Sequence, residues 1–112
     1  MGVDLTLLPY RWPDLGGTML AVTRLPLDVR NYGLWEVLSR ESIPLDRSIQ
    51  NYEDEGLETR TTDPYGEPLT YMLAVHLSRH LANLDHLSDW DQAIVAFIAT
   101  LKSDRKIVLW FH

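Results

Sequence analysis

From residue 88 to residue 101 the chain reads SDWDQAIVAFIATL, with apolar positions recurring every three or four residues. At 100° per residue Trp90, Ala93, Ile94, Phe97, Ile98 and Leu101 share one face, which predicts an amphipathic helix. Ser88 followed three residues later by Asp91 is a capping-box-like start, since a hydroxyl and a carboxylate there can satisfy first-turn N–H groups. A similar period runs over residues 69–84, with Leu69, Leu73, Leu77, Leu81 and Leu84 as the stripe. Its first turn has an extended alternative through Thr70-Tyr71-Met72. The three residues Asp85-His86-Leu87 between these runs are a short connection, which makes the two helices antiparallel neighbours. An earlier helix is predicted from a cap at Asp28 to about Arg40. It buries Leu27, Leu34, Trp35 and Leu38, pairs Glu36 with Arg40 outside, and is weakened by about 1 kcal/mol at Gly33.

Period-two alternation marks three strands. Residues 3–8 form the first, stopped by Pro9; residues 18–25 form its hairpin partner after a loop whose Gly16-Gly17 pair suits a return turn. In that loop Trp12 reads as a lid on one end of the core rather than a binding anchor. Residues 106–112 form the last strand, apolar on both faces and so the best candidate for the sheet centre. The expected fold is α+β: a small antiparallel sheet of about three strands with three helices packed on one face, in the order ββαααβ, as a single domain over residues 1–112.

Residues 41–68 break the pattern. They hold no sustained period, three prolines and two glycines, so they read as a long loop with a short helix around residues 46–52. Asp63-Pro64-Tyr65-Gly66 is a turn, with proline presetting φ and the aspartate able to bond back to the backbone. Charge makes the segment more distinctive. Between residues 41 and 67 there are eight acids (Glu41, Asp46, Glu53, Asp54, Glu55, Glu58, Asp63, Glu67) and two bases (Arg47, Arg60). The other eight acids and eight bases cancel, so the whole net charge of −6 resides there.

Composition sets outer limits. At 112 residues, 46% apolar and 23% charged, the chain can bury a core and does not read as disordered. With no cysteine, disulfides, thiolate metal sites and a cysteine nucleophile are excluded. No apolar run reaches the roughly 18–20 residues of a membrane span and no export signal opens the chain, so a cytoplasmic protein is expected. The acidic balance argues against direct binding to nucleic acid, which needs clustered lysine and arginine, and favours a protein partner with a basic surface.

Candidate chemistry is sparse. His76 and His80 lie one helical turn apart, yet the glutamate of a zinc peptidase motif is replaced by Leu77, so no metal site is assigned. Neither a nucleophile elbow nor a phosphate-cradling glycine loop opens a helix. No catalytic residue and no cofactor is assigned. The stretches MGVDLTLLP, TTDPYGEPLTY and KIVLWFH together resemble a group of small phage- and prophage-encoded proteins of no assigned function, covering about a third of the chain. That resemblance implies an accessory protein acting inside a bacterial host. Two functional readings follow. The first is non-catalytic binding, such as inhibition of a host antiviral defence protein, through an acidic and aromatic surface of Tyr52, Glu53, Asp54, Glu55, Glu58, Asp63 and Tyr65. The second is a small-molecule or nucleotide binder, or a minor enzyme, with a pocket between sheet and helices near Tyr71, His76 and His80. Homo-oligomerisation through a strand edge is compatible with both.

Overall fold

The computed structural model describes residues 4–9, 19–53 and 56–112. The fold is α+β, and its main sheet is larger than the pattern predicts. Five strands lie in the order β3-β1-β8-β7-β4, every pair antiparallel: β1 (Leu5–Pro9), β3 (Leu25–Pro26), β4 (Ile43–Pro44), β7 (Thr70–Leu73) and β8 (Lys106–Phe111). A second sheet orders β2 (Met19–Ala21), β5 (Ser48–Glu53) and β6 (Gly56–Arg60) as β2-β5-β6. Three helices complete the chain: α1 (Tyr32–Glu41), α2 (Ala74–Leu81) and α3 (Asp89–Thr100).

Strand β8 is central, as its two apolar faces predict, and each face has its own core. Toward the helices, Leu5, Leu7, Met72, Ile107, Leu109 and Phe111 pack with Trp35, Leu38, Leu77, Leu81, Ile94 and Ile98. On the other face Leu8, Val108 and Trp110 pack with Leu69 and with Ile49 of β5. The register explains the division: Leu7 lies opposite Leu109, whereas Thr6 lies opposite Trp110 and Leu8 opposite Val108. Neighbouring residues of each strand therefore alternate between the cores. The molecule has three layers, helices, five-stranded sheet and three-stranded sheet.

Several expectations are corrected. Residues 18–25 are not one hairpin partner of β1: Met19–Ala21 joins β5 in parallel, and Leu25–Pro26 pairs with β1. Residues 41–68 are not a long loop. Residues 46–52 contribute to strand β5 rather than a helix, and β5 and β6 form an antiparallel hairpin. Its polar sequence hides it; among the described side chains of β5, Ile49 is the one in the second core. Helix α1 starts at Asn31, whose Oδ1 accepts from the Leu34 amide at 2.9 Å, not at Asp28. The stretch 69–84 divides, and its extended alternative is the one adopted: Thr70–Leu73 is strand, and α2 begins at Ala74. The Trp12 lid lies outside the described residues.

Helix α3 has the predicted limits. Ser88 is its N-cap and its Oγ accepts from the Asp91 amide at 3.1 Å. The helix is nevertheless turned about its axis by about 60° from the predicted face, at 100° per residue. Asp91, Ile94 and Ile98 are buried, while Trp90 and Phe97 are 49% and 45% exposed. The cause is Asp91. Its Oδ1 accepts from the Asp28 amide at 2.7 Å and its Oδ2 from the Val29 amide at 2.8 Å. The Ser88 hydroxyl, in turn, donates to the Asp28 carboxylate at 2.9 Å. Seating that carboxylate on the β3–α1 connection draws residue 91 inward and pushes Trp90 and Phe97 out.

Candidate partner-binding surface

The acidic segment is built on the β5–β6 hairpin. Glu53 lies opposite Gly56, and Asp54 and Glu55, which join them in sequence, lie outside the described residues. Gly56 has φ of +111°, a conformation that side-chain-bearing residues rarely adopt, so glycine is required where the chain re-enters β6. At the root, buried Ile49 opposite Arg60 fixes the hairpin to the second core. Arg60 Nη2 donates to Glu58 Oε2 at 2.9 Å, two residues apart on one face of an exposed strand.

Beyond β6 the chain turns at Asp63. Asp63 Oδ1 accepts from the amides of Tyr65 at 2.8 Å and Glu67 at 3.1 Å, and its carbonyl accepts from the Gly66 amide at 3.0 Å. This is the predicted turn chemistry, with Gly66 at φ +81°. It also removes Asp63 from the contact surface, because the residue is 8% exposed and its carboxylate serves the backbone. Tyr65, at 51% exposed, projects from the same turn. Four strand steps separate Gly56 from Arg60 in β6, about 13 Å at 3.3 Å per residue, and the turn lies beyond Arg60. The Glu53–Gly56 pair and the Asp63–Tyr65 turn therefore stand at opposite ends of β6, while Asp54, Glu55 and the side chains of Tyr52 and Glu53 lie outside what the structure describes.

Other acids of the segment are engaged locally. Glu41 Oε2 is 3.0 Å from His80 Nε2, and Asp46 lies 4.0 Å from Arg47. The remaining acids of residues 41–67, besides these and Glu58 and Asp63, are Glu53, Asp54, Glu55 and Glu67.

The alternative pocket is not assembled. Tyr71 packs against the second core, on the sheet face away from α2, with Lys106 Nζ 5.1 Å from its ring centroid. His76 is exposed on α2, and His80 faces Glu41 on α1. The sheet itself separates the tyrosine from the histidines, and the space between sheet and helices is filled by the first core. An open depression of about 390 Å³ lies elsewhere, at the hairpin root, lined by Leu45, Asp46, Arg47, Ser48 and Thr61. Among the described residues no three His, Asp or Glu side chains are grouped to hold a metal ion, and no helix is long and apolar enough to cross a membrane.

Sequence reasoning missed the outward face of α3. The available signal was the absence of any charged residue from Gln92 to Leu101, which a helix half in water ordinarily does not show. No family model matches the chain, and no curated protein or solved structure matches it.

Proposed function

We propose that this chain is a non-catalytic binding protein that offers the acidic end of the β5–β6 hairpin to a basic surface of a host protein. One observation carries the reading: the entire net charge of −6 belongs to a segment that includes this hairpin, with three consecutive acids at positions 53–55 between its paired strands. A concentrated carboxylate surface raises the rate of encounter with a basic partner and can occupy a groove that otherwise takes a polyanion. The hairpin belongs to the outer sheet, so the helix layer and the first core do not depend on what the triplet contacts. The resemblance of the stretches MGVDLTLLP, TTDPYGEPLTY and KIVLWFH to phage-encoded proteins supports a bacterial host protein as the partner, and an antiviral defence protein is the class that such an inhibitor would serve.

The test compares the intact chain with a variant carrying Glu53→Lys, Asp54→Lys and Glu55→Lys in affinity capture from bacterial lysate at low and high salt. A protein retained by the intact chain, released by salt and absent with the variant supports the reading. The melting temperatures of the two should agree within a few degrees, because on this reading these charges face the partner and not the core, and such charges contribute little to stability. Retention of the same protein by both forms, independent of salt, would overturn it.

A further inference from the structure

The outward side of α3 presents Gln92, Ala93, Ala96, Phe97, Ala99 and Thr100, without a charge among them. Trp90 stands beside this strip, three residues before Ala93 and seven before Phe97. Its indole N–H donates to the Pro26 carbonyl at 2.7 Å, so the ring is fixed against the edge of the five-stranded sheet while half of it meets solvent. An aromatic ring already immobilised loses little entropy on contact, which is how interface anchors are built. Two large aromatic residues two helical turns apart, with alanines between, make a surface of knobs and a shallow hole.

We propose that two copies of this chain associate antiparallel through the outward faces of α3, with Phe97 over Ala93 and Ala96 of the second copy and Asp89 opposite its Lys102. Charge selects this occupant. A molecule of net charge −6 repels its own copy over most approaches, and the uncharged strip of six outward residues relieves that repulsion. The ends of α3 are self-complementary: Asp89 opens the helix and Lys102 follows its C-cap Leu101. Reversing one copy brings each acid to the other's base and opposes the two helix dipoles.

Three of the four sheet edges are poorer meeting places. Strands β3 and β4 are two residues long and end in Pro26 and Pro44, which lack an amide N–H, while edge strand β6 carries Glu58 and Arg60. A twelve-residue helix is about 18 Å long, so the contact falls below about 1,200 Å² in total and the dimer is weak, on the order of 10–100 µM. This inference is independent of the acidic-hairpin reading.

Sedimentation equilibrium of the full chain between about 1 µM and 1 mM tests it. The weight-average mass should rise from 12.9 kDa toward twice that value. Phe97→Glu should weaken association at least about tenfold with the melting temperature unchanged, since that side chain lies outside both cores. Asp89→Lys and Lys102→Glu should each weaken the dimer, and the double exchange should restore it. The triple-lysine hairpin variant should still dimerise. A mass fixed at the monomer value across the range overturns the proposal. So does a dimer indifferent to Phe97→Glu, or a double exchange that recovers nothing relative to Lys102→Glu alone.

Discussion

Replacing Asp91 by alanine separates two accounts of the same residue. As a first-turn carboxylate behind Ser88, Asp91 is worth about 0.5–1 kcal/mol through the helix cap and dipole. The tertiary structure gives it a larger task. The residue is 1% exposed, and its two oxygens accept separately from the amides of Asp28 and Val29, 63 and 62 positions away. Alanine leaves both donors, in part-buried hydrogen bonds, without their partner. A buried donor left unsatisfied costs about 1–3 kcal/mol. Allowing for a water that enters the space, the loss should be about 2–4 kcal/mol, near 8–16 °C in melting temperature for a chain of this length. Urea denaturation followed by circular dichroism measures it. Asp91→Asn keeps one acceptor oxygen and should fall about midway, whereas Ser88→Ala removes the cap alone and should cost about 1 kcal/mol. Hydrogen exchange at the amides of residues 28 and 29 should accelerate in Asp91→Ala more than in Ser88→Ala. A loss no greater than that of Ser88→Ala, with those two amides still protected, would refute the argument that Asp91 ties α3 to the β3–α1 connection.

Two further outcomes follow from particular contacts. The Thr6 hydroxyl, fully buried, shares a hydrogen bond of 2.8 Å with His112 Nε2. Burial holds the His112 imidazole below its ordinary value, Asp4 opposes that and Arg24 adds to it. The unfolded chain therefore takes up the proton first, so stability should be undiminished above about pH 6.5 and fall as the pH drops through the folded-state value. Denaturation midpoints between pH 8 and pH 5 check this, and His112→Gln should flatten the slope in that window. Asp63→Ala should cost about 1–2 kcal/mol, because two turn amides lose their acceptor. It should leave capture through the hairpin unaffected, since the Asp63 turn lies at the far end of β6; loss of capture without loss of stability would return Asp63 to the contact surface.

The sequence by itself determined those features whose causes lie within a few residues. The limits of α3 follow from the Ser88 cap and a sustained period, the turn at Asp63 from its side chain and Gly66, and the central place of β8 from apolar residues on both faces. The extended reading of Thr70-Tyr71-Met72 also needed only the local pattern. Tertiary structure decided the rest. The face that α3 buries depends on hydrogen bonds from Asp91 across more than sixty residues, which no local period contains. The β5–β6 hairpin was illegible because a strand in an outer layer needs few apolar residues; among its described side chains Ile49 enters the second core. The division of residues 18–25 between two sheets depends on which partners lie alongside, Leu7 for Leu25 and Ile49 for Leu20. The same distinction applies to the candidate surface. Sequence located the charge, whereas the extended geometry of β6 separated the Glu53–Gly56 pair from Tyr65 and the main sheet separated Tyr71 from His76 and His80. Proximity along the chain governs caps and turns; proximity across a sheet is set by register, and register is a property of the assembled fold.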